Sequence, residues 1–282
     1  MSIQPITETI LRQTIRPRPE NSHKGTYGRL TLVGGNAQFG GAIIMATTAG
    51  IYSGAGLTTT LTDPVNITAL HARMPEAMVT DFHDEATLTE LISSANSIVV
   101  GPGLGSDEAG LTALRRVFAT VQPQQSLTID GSAIDLVAKH DLPLPNAKLV
   151  FTPHEMEWQR LSGIAIKDQT PDNNQQAVAK LGGIVVLKKH HTQVYADHQI
   201  FENPGGTPAM ATGGMGDTLA GMVGGFTAQF ADQLNAVLSA VYIHSQIADD
   251  LAHNAYVVLP TQISEEIPWY MKQYSLPQST KM

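Results

Sequence analysis

Asn203-Pro-Gly-Gly-Thr-Pro-Ala-Met-Ala-Thr-Gly-Gly-Met-Gly-Asp217-Thr-Leu-Ala-Gly221 is the stretch that decides the fold. Glycines crowd against one carboxylate, and Leu219, Met222, Val223 and Phe226 then recur at three- and four-residue spacing, which predicts a helix starting near Gly216. The first N–H groups of that helix lack intrahelical partners and face back toward Gly213 and Gly214. Glycine lets the backbone approach an anion closely and a helix N-terminus favours negative charge, so Gly213, Gly214 and Gly216 form a candidate anion hole. Asp217 is placed to accept a proton from an attacking hydroxyl, as phosphoryl transfer requires. At a helix N-terminus its carboxyl is expected to be held ionised, below the usual range. Read alone, the stretch also fits a glycine-rich turn with Asp217 capping a helix.

Outward from this stretch the chain repeats a strand-turn-helix order. Residues 30–33 are a short apolar strand, 34–41 a glycine-rich turn, and 42–54 a helix of small residues able to pack closely on a sheet. Residues 97–100 run into Gly101-Pro-Gly-Leu-Gly105 and a helix over 107–119. Residues 127–130 lead to a helix over 133–139, and 149–151 to one over 155–161. A strand over 184–188 is expected to pair with 193–196 as a hairpin-like element. Residues 6–13 read as a short amphipathic helix and 16–21 as an extended connector. Short apolar strands alternating with helices predict an α/β fold with a mainly parallel sheet covered on both faces, its ligands beyond the strands' carboxyl ends. No repeat or composition break divides residues 1–282, so one domain is expected, with 1–22 as N-terminal helix and connector and 275–282 as a candidate disordered tail.

A chain of 282 residues with 42% hydrophobic and 15% charged residues can bury a sizeable core. The net charge of −8 and the lack of a basic run argue against nucleic acid or a membrane surface as partner. Polyanionic nucleotides would then need local attraction from a divalent cation and a few lysines. The absence of cysteine excludes disulfides, thiolate metal sites and a thiol nucleophile. The N-terminus lacks a basic start and continuous apolar core, and no run approaches membrane-spanning length, so a cytoplasmic protein is expected.

Several motifs carry two readings when taken singly. No Gly-Lys-Ser/Thr follows residues 34–41, and Ser106 stands where the dinucleotide fingerprint has its last glycine, so both glycine loops also fit packing turns. His154 follows Pro153 at a strand end, facing the cleft, yet a loop histidine with a satisfied hydrogen bond fits as well. Lys188-Lys-His-His-Thr192 offers cationic and hydroxyl donors or a solvated charge cluster. His71, His83, His140, His198, His244 and His253 show no metal-ligand spacing and read as surface or core histidines.

As a set, these segments resemble one family. The stretch 203–221 is similar to the anion-hole and base motif of the ribokinase-like superfamily and, at full length, to the ADP/ATP-dependent NAD(P)H-hydrate dehydratases. Lys24-Gly-Thr-Tyr-Gly-Arg-Leu-Thr-Leu-Val-Gly-Gly35, Gly101 to Gly105, Ile129-Asp130, Thr152-Pro-His-Glu155 and Val185 to Thr192 fall in that family's order, so the resemblance covers residues 23–260. It implies a ribokinase-like three-layer α/β/α domain.

It also implies a reaction in which ADP or ATP phosphorylates the C6 hydroxyl of the (S)-hydrate of NADH or NADPH. Loss of phosphate then restores the dihydronicotinamide, and ADP as donor leaves AMP. By the same resemblance Asp217 is the catalytic base, and Ala42, Gly105, His154 and Asp217 contact the hydrate. Lys188, Lys189, His190, His191 and Thr192 with Gly216 contact ADP or AMP, and Mg²⁺ bridges phosphates. Metal ligands are not assigned; Asp130 is a candidate holder of a metal-bound water, and Glu155 and Glu157 are metal-water or helix N-terminal carboxylates. The chain departs from the family at Lys189 for Gly, Met215 for Thr or Ser, and Gly131 for Ala. The form without room for the epimerase domain that some relatives fuse resembles the bacterial branch. That implies an NAD(P)H-hydrate epimerase on a separate chain, preference for ADP, and a homo-oligomer, expected as a tetramer. Two other readings stand beside it: a vitamin-precursor alcohol kinase of the same superfamily, which shares the Gly-Asp motif, and a catalytically silent nucleotide-binding regulator.

Overall fold

Short runs of β-branched and other apolar residues, each closed by glycine, proline or a polar turn, set the strands. The computed structural model describes residues 2–276. The first half of the chain forms β1 (Ile3–Pro5), α1 (Thr9–Thr14), β2 (Arg29–Val33), α2 (Gly40–Tyr52), β3 (Leu57–Thr62), α3 (Ile67–Arg73), β4 (Met78–Asp81), α4 (Glu85–Ser94), β5 (Ser97–Val100) and α5 (Glu108–Thr120). Then follow β6 (Ser126–Ile129), α6 (Ser132–His140), β7 (Lys148–Phe151), α7 (Glu155–Ser162), α8 (Pro171–Leu181) and β8 (Ile184–Leu187). The chain closes with β9 (Gln193–Ala196), β10 (Gln199–Glu202), α9 (Met215–Gln229), α10 (Gln233–Ala252) and α11 (Pro260–Ser275). Ser275 thus ends a helix, while residues 277–282 of the expected tail lie outside the described residues.

The strands make one sheet in the order β1-β10-β9-β8-β7-β6-β5-β2-β3-β4. From β8 to β4 every pairing is parallel, and β8, β9 and β10 pair antiparallel, so the expected hairpin is present with Val186 opposite Val194. Side-chain alternation feeds two cores. Ile98 and Val100, Leu149 and Phe151, Val185 and Leu187 face the core under α4 to α8. Val150, Ile184, Val186 and Val194 face the core under α9, α10 and α11. A one-residue slip would exchange the two sets, which is what fixes the register.

Two N-terminal expectations are corrected. Residues 3–5 form a strand parallel to β10, and the ladder continues through the Ile6 N–H to Glu202 carbonyl bond of 2.8 Å. The helix expected from residue 6 therefore starts only at Thr9.

Helix α2 lies across α9 at close range, as its small residues predict. A Cβ on Gly221 would fall 2.0 Å from the Ala46 carbonyl oxygen, so that crossing exists only with glycine there. Strand order reverses between β2 and β5, which opens a crevice beyond their carboxyl ends. The loops after these strands are zipped by backbone bonds, Gly35 N–H to Pro102 O at 2.8 Å and Asn36 N–H to Gly103 O at 2.7 Å.

Candidate active site

The decisive glycine stretch enters α9 through Gly214, whose φ of +96° is a left-handed conformation. The Thr218 N–H bonds the Gly214 carbonyl at 3.0 Å, and the N–H groups ahead of it form the free first turn. Asp217 lies in that turn, half-buried. Burial first, and then the Asp130 charge, push its carboxyl up to about 6; Lys188 opposes the rise and Glu157 adds to it. The expectation of a depressed Asp217 is therefore overturned, because desolvation and two like charges outweigh the helix terminus.

Asp130 is the first residue beyond β6 and is 2% exposed. Its Oδ1 accepts from Thr152 Oγ1 at 2.6 Å and from Lys188 Nζ at 2.9 Å. Both bonds fall on Oδ1 of Asp130. Burial works against the Lys188 charge, but Asp130, Glu157 and Asp217 hold its pKa above the ordinary value. Lys188 Nζ also lies 2.9 Å from where a Gly216 Cβ would stand, so the ammonium packs against the residue preceding Asp217.

His154 and Glu157 cap each other's backbone at the start of α7. His154 Nδ1 accepts from the Met156 and Glu157 N–H groups at 3.1 Å each, and Glu157 accepts from the His154 N–H at 2.7 Å. An accepting Nδ1 places the neutral imidazole's proton on Nε2, 3.5 Å from Glu157 Oε1. Of the two roles foreseen for Glu157, the helix N-terminal one matches this geometry. Burial raises its pKa, partly offset by Lys188.

A cavity of about 530 Å³ opens beside this cluster. All five residues Lys188, Lys189, His190, His191 and Thr192 line it, with Gly216 and His154. The structure thus gathers the residues expected to contact the nucleotide, with His154, expected to contact the hydrate, in the same lining. Gly213, exposed, and Gly214, half-buried, are not part of that lining. Ala42 and Gly105 sit apart, at the β2 and β5 crevice. Ala42 Cβ is 3.0 Å from a Cβ position on Gly103, and Gly105 faces the Asn36 amide. The two places adjoin, since a Cβ on Gly101 would fall 1.8 Å from the Asp130 carbonyl oxygen.

Sequence reasoning missed three contributors. His244 of α10, read as a surface or core histidine, is 5% exposed and lines the cavity, and its Nε2 has no hydrogen-bond partner among the described residues. Burial first, then the Lys188 charge, push it down to about 4. Ser245 beside it accepts from Asn203 at 2.7 Å, and Asp249 accepts the Gly206 N–H at 3.0 Å, pinning the cavity loop. These residues sit on a helix with no glycine or motif signal, so the sequence carried no marker for them.

Comparison with known proteins bears on this geometry. Residues 30–269 match the family model described as NAD(P)H-hydrate dehydratase. A protein of Lactiplantibacillus plantarum named ADP-dependent (S)-NAD(P)H-hydrate dehydratase is 60% identical over 273 residues, spanning 97% of this chain and 98% of its own length. A solved structure of a ribokinase-like superfamily protein from Enterococcus faecalis superposes with a TM-score of 0.96 at 51% identity, covering 98% of this chain and 97% of that one. The ADP/ATP-dependent NAD(P)H-hydrate dehydratase of Bacillus subtilis, crystallised with ATP/Mg²⁺, gives a TM-score of 0.88 at 28% identity over 97% and 99% of the two chains.

Proposed function

The chain belongs to the NAD(P)H-hydrate dehydratase family, and from that premise we propose that it is an ADP-dependent (S)-NAD(P)H-hydrate dehydratase. The observation that carries the chemistry is Asp217, a carboxylate in the first turn of a helix with its pKa near 6, beside a cavity of nucleotide size. Asp217 takes the proton of the C6 hydroxyl as the β-phosphoryl group of ADP moves to that oxygen, leaving AMP. A pKa close to the working pH suits a general base. Phosphorylation turns hydroxide into a good leaving group, and departure of phosphate restores the dihydronicotinamide.

The protein's share is positioning and electrostatics. Gly213, Gly214 and Gly216 offer backbone near the transferring group, Lys188 to Thr192 hold the nucleotide, and Ala42, Gly105 and His154 hold the hydrate. Met215, without a hydroxyl, leaves stabilisation of the phosphoryl group to backbone N–H groups. Among the described residues no group of three His, Cys, Asp or Glu side chains is gathered for a metal. Mg²⁺ would enter on the nucleotide phosphates with its waters, where it would offset phosphate charge.

The protein works in the cytoplasm as a homotetramer, with an NAD(P)H-hydrate epimerase on a separate chain supplying the S-epimer. Among the described residues no helix is long and apolar enough to cross a membrane, and the exposed Tyr256 and Trp269 offer apolar surface for self-association. Sedimentation as a concentration-independent monomer would remove the tetramer. The activity is tested by recovery of dihydronicotinamide absorbance from purified hydrate at matched Mg²⁺. ADP should support faster recovery than ATP; equal or faster rates with ATP would overturn the donor assignment.

A further inference from the structure

Asp130, Thr152 and Lys188 are each the first residue beyond a strand, β6, β7 and β8 in turn, and these strands are neighbours in the sheet. Their side chains meet at one oxygen. We propose that Asp130, fixed by Thr152, is a positioning residue for the reaction: it holds the Lys188 ammonium off the Asp217 carboxylate, so that the lysine faces the transferring phosphoryl group while the base stays free to take a proton. The proposal rests on reading Asp217 as the base.

A lysine beside a carboxylate base presents a conflict. Paired with the base, it would stabilise the ionised form and weaken proton uptake. Removed altogether, it would leave the phosphoryl group without the cationic side chain beside Gly216. The 2.9 Å bond to Asp130, a residue buried and outside the cavity lining, engages the ammonium of the cavity-lining Lys188, and the Thr152 hydroxyl, 2.6 Å from the same oxygen on a fully buried residue, fixes the carboxylate that does so. Asp130 also repels the ionised Asp217, so both of its effects strengthen the base. The charged groups that act on Asp217 are Asp130 beyond β6, Lys188 beyond β8 and Glu157 of α7; His154 of α7 acts on Glu157, and Lys188 acts on His244 of α10. Asp130 and Lys188 act on Asp217 in opposite directions.

The test is the pH dependence of kcat for hydrate turnover with ADP, together with an NMR titration of the Asp217 carboxyl that needs no turnover. Asp130→Asn should move the Asp217 midpoint down by about one pH unit or more and lower the plateau kcat about tenfold. Lys188→Met should move the midpoint up. Thr152→Val should lower kcat about two- to twelvefold, the worth of one hydrogen bond, and Thr152→Ser should restore it. Folded Asp130→Asn protein with the wild-type midpoint and plateau would overturn the proposal. Should Asp130→Asn fail to fold, equal behaviour of Thr152→Val and Thr152→Ser would overturn it instead. A wild type that fails to convert hydrate defeats the functional reading alone, because the NMR midpoints still decide this one.

Discussion

The two halves of the cleft are built in different ways. The crevice beyond β2 and β5 is a matter of backbone: Gly35 and Asn36 bond Pro102 and Gly103, and the residues assigned there, Ala42 and Gly105, are small and neutral. The neighbouring end, beyond β6, β7 and β8, gathers Asp130, Glu157 and Asp217 around one Lys188. The first half specifies shape and the second specifies charge. Substitutions in the first should change binding and leave titration alone, whereas those among the charged residues of the second should move titration.

Asp217→Asn, the largest expected effect, breaks the charged half. It keeps size and capping ability, and kcat should fall about 10²- to 10⁴-fold while nucleotide binding survives. Because the folded pKa lies above the ordinary 3.8, ionised Asp217 stabilises nothing. Its favourable contribution is complete below the unfolded pKa and is lost as pH rises through about 6. The Asn variant should therefore melt higher than wild type at pH 8, by about 1–3 kcal/mol in stability. Near-normal turnover with lower melting would make Asp217 only a cap.

In the wild type, kcat should fall about tenfold per pH unit below the Asp217 midpoint near 6. A pH-rate profile flat from 7 to 5, on the order of two units, would dissolve the electrostatic difference between the halves.

Gly105→Ala probes the crevice. Gly105 has φ +85° and a Cβ there would stand 2.5 Å from Asn36 Nδ2. Backbone strain of about 1–2 kcal/mol should weaken hydrate binding roughly five- to thirtyfold, with the kcat midpoint unmoved. A shifted midpoint would mean that the halves are one electrostatic unit.

The smallest effect belongs to His154, on the cavity wall of the charged half. His154→Ala should weaken hydrate binding about two- to twelvefold and cost about 0.5–2 kcal/mol of stability as the α7 cap is lost. His154→Asn should recover stability without recovering affinity, as read by thermal melts and hydrate titration. A fall in ADP affinity instead would assign His154 to the nucleotide.

The same division governs what was legible in the sequence. Ser97–Val100, the β8–β9 pairing and the α9 start were readable because apolar runs and glycines act locally. Strand β3, Leu-Thr-Thr-Thr-Leu-Thr, hid behind hydroxyls, two of which find partners only in the fold: Thr60 meets Thr47 at 2.8 Å and Thr62 bonds the Gly35 carbonyl at 2.8 Å. Strand β1 hid because three exposed residues gain strand character from β10, far along the chain. Asp217 and the Lys188 to Thr192 run were visible as motifs. The state of Asp217 was not, since burial in the fold and then the distant Asp130 and Glu157 act against the local helix end.

The most direct test of the central claim is product identity from (S)-hydrate of NADH incubated with ADP, Mg²⁺ and the protein. Resolved chromatographically, the products should be NADH, AMP and inorganic phosphate in equal amounts, with no phosphorylated hydrate accumulating. A stable phosphorylated product with no restored NADH would contradict the account and make the protein a kinase.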